Sequence, residues 1–186
     1  MGTARMLKIA LAALVGGVML AAPASAGAGQ WDYLLAPESA CPNQSTMALS
    51  AGTQARTMVC MHNYARAQAG VPGLHFSREL RASSTKKARD IRRCQQFSHE
   101  ACGRNPFYWV QRVGFERGSW GAGENLALGT GSDGSVRNLM SAWLNSDLHR
   151  TVLLDPRFDQ VGISDISGRY HSAGAAKIWV AHFGYH

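Results

Sequence analysis

With only six prolines in 186 residues, the chain has no collagenous or proline-rich stretch, and 12 acidic residues against 19 basic ones exclude an acidic, solvating tail. Charged residues make up 17% of the chain and hydrophobic ones 46%, so it is too apolar to be disordered. Its four cysteines, Cys41, Cys60, Cys94 and Cys102, show no C-x-x-C spacing, which leaves zinc ribbons and dithiol redox motifs without support. Several catalytic signatures are missing too. No G-x-x-x-x-G-K-[ST] phosphate loop occurs, His99-Glu100 lacks the second histidine of H-E-x-x-H, and no G-x-S-x-G elbow advertises a serine nucleophile. Beyond the first 20 residues, no apolar run approaches the roughly 20 residues that a membrane span needs.

What is present begins with an export leader. Arg5 and Lys8 precede an apolar run of 12 residues, Ile9 to Leu20, and Ala24-Ser25-Ala26 offers the small side chains of a cleavage site. Cleavage after Ala26 leaves 160 residues, the size of one domain, with a net charge of +5. The chain is therefore expected to be secreted, and not membrane-spanning once the leader is gone. An even set of cysteines in an oxidising compartment reads as disulfides. Three pairings are open; Cys41 with Cys60 and Cys94 with Cys102 are favoured because short loops close most readily. The second of these would encircle His99.

Residues 27–52, rich in Gly, Ala, Pro and Ser, read as a weakly ordered lead-in to a domain over 53–186. Thr53 is placed to cap a first helix with Ala55, Met58, Val59 and His62 inward, stopped by Gly70 and Pro72. A second helix is expected from Ser77 to about Arg93, with Leu80, Ser84, Ala88 and Ile91 inward. Asn105-Pro106 opens a short third helix, since proline fits a first turn. Residues 118–134 read as a glycine-rich loop. Val136, Leu139, Met140, Trp143 and Leu144 then mark the stripe of an amphipathic helix ending near Asn145-Ser146. Strand signals follow over Phe158 to Ile163 and Lys177 to Phe183, with a turn at Ser167-Gly168. Helices early and strands late indicate an α+β layered domain.

Five tags stand in order along the chain: His62-Asn63-Tyr64-Ala65-Arg66, Phe97-Ser98-His99, Gly123-Glu124-Asn125-Leu126-Ala127, Ala142 to Ser146 leading to His149-Arg150, and Trp179 to Gly184. Together they resemble the CAP superfamily, the SCP or pathogenesis-related-1-like domain, in its compact secreted bacterial form. The resemblance spans about residues 54–184. It implies a three-layer α-β-α sandwich around a central antiparallel sheet, with a cleft that in many relatives carries two His and two Glu and sometimes a divalent cation. Carried over by position, His99, Glu124 and His149 are the cleft residues. Where those relatives place the second glutamate, this chain has Ser146.

Two imidazoles and a carboxylate are the donor set of an open Zn²⁺ site, in which water completes the coordination and can be acidified for hydrolysis. The same three side chains also suit a hydrogen-bonded polar cluster without metal. His62 belongs to an inward helix face and reads as a core histidine; Trp143 and Trp179 read as core as well. The second helix gathers Arg78, Arg81, Lys86, Lys87, Arg89, Arg92 and Arg93 against Glu79 and Asp90, a solvated face or a contact for anionic envelope polymers. No aromatic interleaving or reader motif points to nucleic acid. The functional expectation is extracellular recognition of a lipid-like, peptide or envelope-derived ligand at a His/Glu cleft. The alternatives are a metal-assisted, peptidase-like hydrolase at the same trio and a non-catalytic envelope module.

Overall fold

The computed structural model describes residues 29–186; the expected leader, residues 1–26, lies outside them. Five helices, α1 (Ala51–Gln68), α2 (Arg78–Cys94), α3 (Tyr108–Arg112), α4 (Val136–Asn145) and α5 (Asp147–Leu153), accompany four strands. The strands are β1 (His75–Phe76), β2 (Gly121–Thr130), β3 (Gln160–Tyr170) and β4 (Ala173–Tyr185), ordered β1-β3-β4-β2 in one sheet. β2, β4 and β3 are antiparallel neighbours, whereas the two-residue β1 runs parallel to β3, so the sheet is mixed rather than wholly antiparallel. The α+β sandwich is otherwise as the resemblance implies.

Alternation along the strands divides the core in two. Val161, Ile163, Trp179, Ala181 and Phe183 pack with Met58 and Met61 of α1 and Leu139, Met140 and Trp143 of α4. On the opposite face Leu126, Ile178 and Val180 meet Ala88 and Ile91 of α2. α2 is capped as expected: Ser77 Oγ accepts the Leu80 N–H, and Leu80, Ser84, Ala88 and Ile91 are all buried. Its approach depends on Gly162 of β3, where a Cβ would lie only 1.9 Å from the backbone nitrogen of Arg81. Ser84 Oγ then donates to the Gly162 carbonyl at 2.7 Å.

Several boundaries differ from the sequence reading. α1 is capped by Ser50, whose Oγ accepts the Thr53 N–H, so it begins a turn early. α3 starts only at Tyr108, because the Asn105 side chain takes the Phe107 N–H and forms a turn first. The expected glycine-rich loop contains β2, and its glycines serve close packing: a Cβ at Gly121 would meet the Tyr185 ring at 2.5 Å, and one at Gly129 the Asp133 carbonyl at 2.4 Å. Gly129, Gly131 and Gly134 stand in G-x-G-x-x-G spacing, but Gly129 lies within a strand antiparallel to its neighbour and Gly131 and Gly134 bound a 3-10 turn, not the parallel strand-to-helix turn that binds dinucleotides. The hairpin turn lies between Tyr170 and Ala173; Gly168, expected in it, sits inside β3 at an irregularity in register. The segment expected as a weakly ordered lead-in instead inserts Leu34, Ala36 and Cys41 into the main core. Disulfides Cys41–Cys60 and Cys94–Cys102 form, the first tying that segment to α1.

Candidate functional site

Glu124 sits on β2 directly opposite His182 of β4, on the sheet face covered by α2. Its side chain is 2% exposed, yet every oxygen has a donor. His182 Nε2 lies 2.8 Å from Oε2, His99 Nδ1 2.6 Å from Oε1, and the Lys87 ammonium 3.8 Å from Oε1. Behind His182, Ser83 Oγ is 2.6 Å from Nδ1. Lys87 also donates to the His99 carbonyl, which fixes the loop that carries the imidazole. Burial alone would push the Glu124 carboxyl upward, but the bonds from His182 and His99 and the nearby positive charges outweigh it and hold the group below its usual range. Lys87 is pulled down, by burial first, while the charges of Glu124, Asp90 and Glu100 oppose the shift.

The adjacent residue on β2 points the other way. Asn125 Nδ2 donates to the His149 carbonyl at 2.9 Å, so Glu124 and Asn125 position the two candidate imidazoles from opposite faces. His149 does not bond to Glu124; its Nδ1 lies 2.8 Å from Ser146 Oγ, the side chain at the position where the resemblance implies a glutamate. The His149 imidazole is shifted down, by burial first and by proximity to His99 second. Glu124 is thus the buried hub and bonds the exposed His99, whereas the half-buried His149 is held from the other face by Asn125 and Ser146 and is linked to that pair only by the charge of His99.

Two hub residues escaped the sequence reading. His182 has no partner that sequence identifies, and its link to Glu124 arises from strand register. Lys87 counts among the surface charges of α2 by composition, although it stands seven residues after Leu80 and so on the inward stripe; Asp90 is likewise buried, accepting from Arg93, Arg104 and Trp109. His62 is a core residue as expected. Its Nδ1 is 2.7 Å from the Met58 carbonyl, its Nε2 is buried without a partner, and burial lowers it to about 4.

The donor set does not fit a three-ligand zinc centre. Both Glu124 oxygens are occupied, a buried ammonium stands beside them, and Ser146 supplies no charge to replace the missing carboxylate. Among the described residues no three His, Cys, Asp or Glu side chains are grouped to hold a metal ion. Glu124 is instead the orienting carboxylate, and no hydrolytic step follows from this arrangement.

Next to His149 a groove of about 450 Å³ runs along the outer edge of β2, walled by Phe97, Leu128, Leu139, Ala142 and Ser146. β2 is a terminal strand of the sheet, so one of its edges has no strand neighbour. The Leu126 carbonyl faces that edge and accepts from Trp143 Nε1 at 3.0 Å. By the two-residue period, the Leu128 N–H and C=O face it too, and among the described residues neither has a partner.

Comparison with known proteins agrees with this architecture. The chain is 27% identical over 129 residues to the uncharacterized protein YkwD of Bacillus subtilis, covering 69% of this chain and 46% of that protein, less than half its length. An extracellular protein containing an SCP domain from Bacillus anthracis superposes with a TM-score of 0.56 at 22% identity, covering 72% of this chain and 40% of the other. An outer surface protein from Borrelia burgdorferi gives a TM-score of 0.60 at 18% identity, covering 73% of this chain and 95% of the other. These two likenesses show the fold. The model of the Cysteine-rich secretory protein family, CAP, matches residues 59–183, and the chain belongs to that family.

Proposed function

We propose that this protein is an exported recognition module that takes an extended peptide segment into the groove along β2, with the His149 and Ser146 side chains meeting the segment's polar end. The observation that carries this reading is the open strand edge within an apolar groove. An unpaired N–H and C=O at Leu128 favour an occupant that supplies backbone hydrogen bonds, and the flanking apolar side chains receive its alternate residues. A lipid tail would cover the same carbon surface but leave those polar groups without partners. Glu124 and its buried donors act as a rigid support that fixes His99 and, through Asn125, the helix bearing His149. The leader expected over residues 1–26 supports export, which accords with the descriptions of the B. anthracis and B. burgdorferi proteins as extracellular and outer-surface.

The test is fluorescence anisotropy with labelled pentapeptides of alternating valine and threonine, carrying either a free or an amidated carboxyl end. Saturable binding is expected, lost in Ala142→Trp, which fills the groove, and at least tenfold weaker in Leu128→Pro, which removes the edge donor. Binding that survives Ala142→Trp would refute the groove assignment. A fluorescent fatty acid that binds while the peptides do not would support the lipid reading instead.

A further inference from the structure

The opposite edge of the sheet carries a second cavity, unrelated to the Glu124 hub. β1 pairs with only Gln160 and Val161, so the rest of β3 has no strand on that side. There, between α1 and α2, lies a cavity of about 300 Å³ with Ala55, Val59, Phe76 and Ile163 as apolar walls and Arg56 and Arg81 beside them. Phe76 is 53% exposed, an unusual position for a phenylalanine with nothing on it. The guanidinium groups converge: Arg56 Nη1 and Arg81 Nη2 each lie 3.7 Å from the point where a Gly52 Cβ would stand, in the first turn of α1.

That convergence is unfavourable unless something negative stands between the two cations. Among the described residues neither arginine has a carboxylate within 4.0 Å. Arg56 donates only to the neutral Thr53 hydroxyl, at 3.1 Å. Asp165, whose charge Arg81 does feel, is buried and already lies 3.7 Å from the Lys177 ammonium. The positive end of the 18-residue α1 adds to the same field. Two forked cations at the rim of a small carbon-lined cavity match one kind of ligand.

We infer that this cavity binds a small amphiphile: an anionic oxygen head, carboxylate or phosphate monoester, held between Arg56 and Arg81, with a short alkyl or aryl body against Val59, Ile163 and Phe76. Gly52 leaves room for the head, and the volume limits the body to roughly a dozen heavy atoms by the usual ratio of pocket to ligand size. This site is separate from the β2 groove and does not depend on what that groove holds.

Isothermal titration of the purified protein with octanoate, octyl phosphate, inorganic phosphate and octanol, each below micelle formation, tests the assignment. One saturable site is expected for octanoate or octyl phosphate, and the tighter of the two identifies the head. Phosphate alone and octanol should each bind at least tenfold more weakly, since each lacks one half of the ligand. Arg56→Gln/Arg81→Gln should weaken the amphiphile at least tenfold while leaving the melting temperature and the β2-groove probe unchanged, and Val59→Trp should block the cavity with both cations intact. Absence of saturable binding, unchanged affinity in the double arginine variant, or equal affinity for phosphate alone would each overturn it.

Discussion

Replacing Glu124 by glutamine keeps the shape of the side chain and removes its charge, which isolates what the carboxylate does for the hub. The variant amide has one accepting oxygen and one N–H₂, whereas the wild-type carboxylate accepts from His182 at one oxygen and His99 at the other. The imidazole facing the amide N–H₂ must then change tautomer to accept, or give up its partner. Lys87, 2% exposed, also loses the negative charge 3.8 Å away. Removing one member of a buried ion pair costs about 3 to 5 kcal/mol. His99 is 55% exposed at its side chain and can turn to water, so the lower end, about 3 kcal/mol, is expected. In a domain of this size that corresponds to a drop in melting temperature of about 9 °C. Urea unfolding with the disulfides intact, followed by circular dichroism, measures the difference. The pH dependence adds a second requirement. The folded-state pKa of Glu124 lies below its unfolded value, so its stabilisation is complete above the unfolded pKa and disappears as pH falls through the folded one. The gap between wild type and Glu124→Gln should therefore close in acid. A gap under about 1 kcal/mol at neutral pH, set against the range for such pairs, or one that widens as the pH falls below the unfolded-state pKa, would refute the hub.

Three further outcomes are expected. His62 is held near 4 in the folded state, below the ordinary 6.5, so the unfolded chain binds the extra proton and stability should fall by about 3 kcal/mol between those values on acidification; His62→Phe should flatten that part of the urea-midpoint profile, and a slope unchanged in the variant would assign it to other groups. Gly162→Ala would set a methyl 1.9 Å from the Arg81 backbone nitrogen and force α2 off the sheet, at a cost of about 3 kcal/mol; Gly174→Ala, with nothing within 4 Å, is the matched control. The double change Cys94→Ser/Cys102→Ser opens a loop with a sequence separation of 8, for which chain entropy gives about 2.5 kcal/mol; it should also broaden the His99 ring signals in NMR spectra, and sharp, unshifted signals would show that Lys87 and Glu124 hold the loop unaided.

Much of the fold was legible along the chain because it is written in short-range patterns. Leu80, Ser84, Ala88 and Ile91 recur at helical spacing and all turn inward, and the two short-range cysteine pairings form. β2 was hidden because its glycines, which look like loop punctuation, are there to let Tyr185, Phe158 and the Asp133 backbone come close. Composition likewise hid the role of residues 29–50, where a few apolar side chains, Leu34 above all, are enough to anchor a polar segment.

Of the site, His99, Glu124 and His149 could be named as candidates through the family resemblance that the local tags carry, since residue type and neighbours are properties of the string. Their roles could not, because the choice between metal ligand and hydrogen-bond partner depends on which donors surround a carboxylate in space. Register between β2 and β4 brought His182 to Glu124, and the close contact of α2 at Gly162 accompanies Lys87. Those donors come from elements up to 58 residues away from Glu124. Local order thus determined the helices, the cysteine pairs and the candidate residues, while long-range packing alone decided that Glu124 is a saturated hub and that both open sheet edges carry cavities.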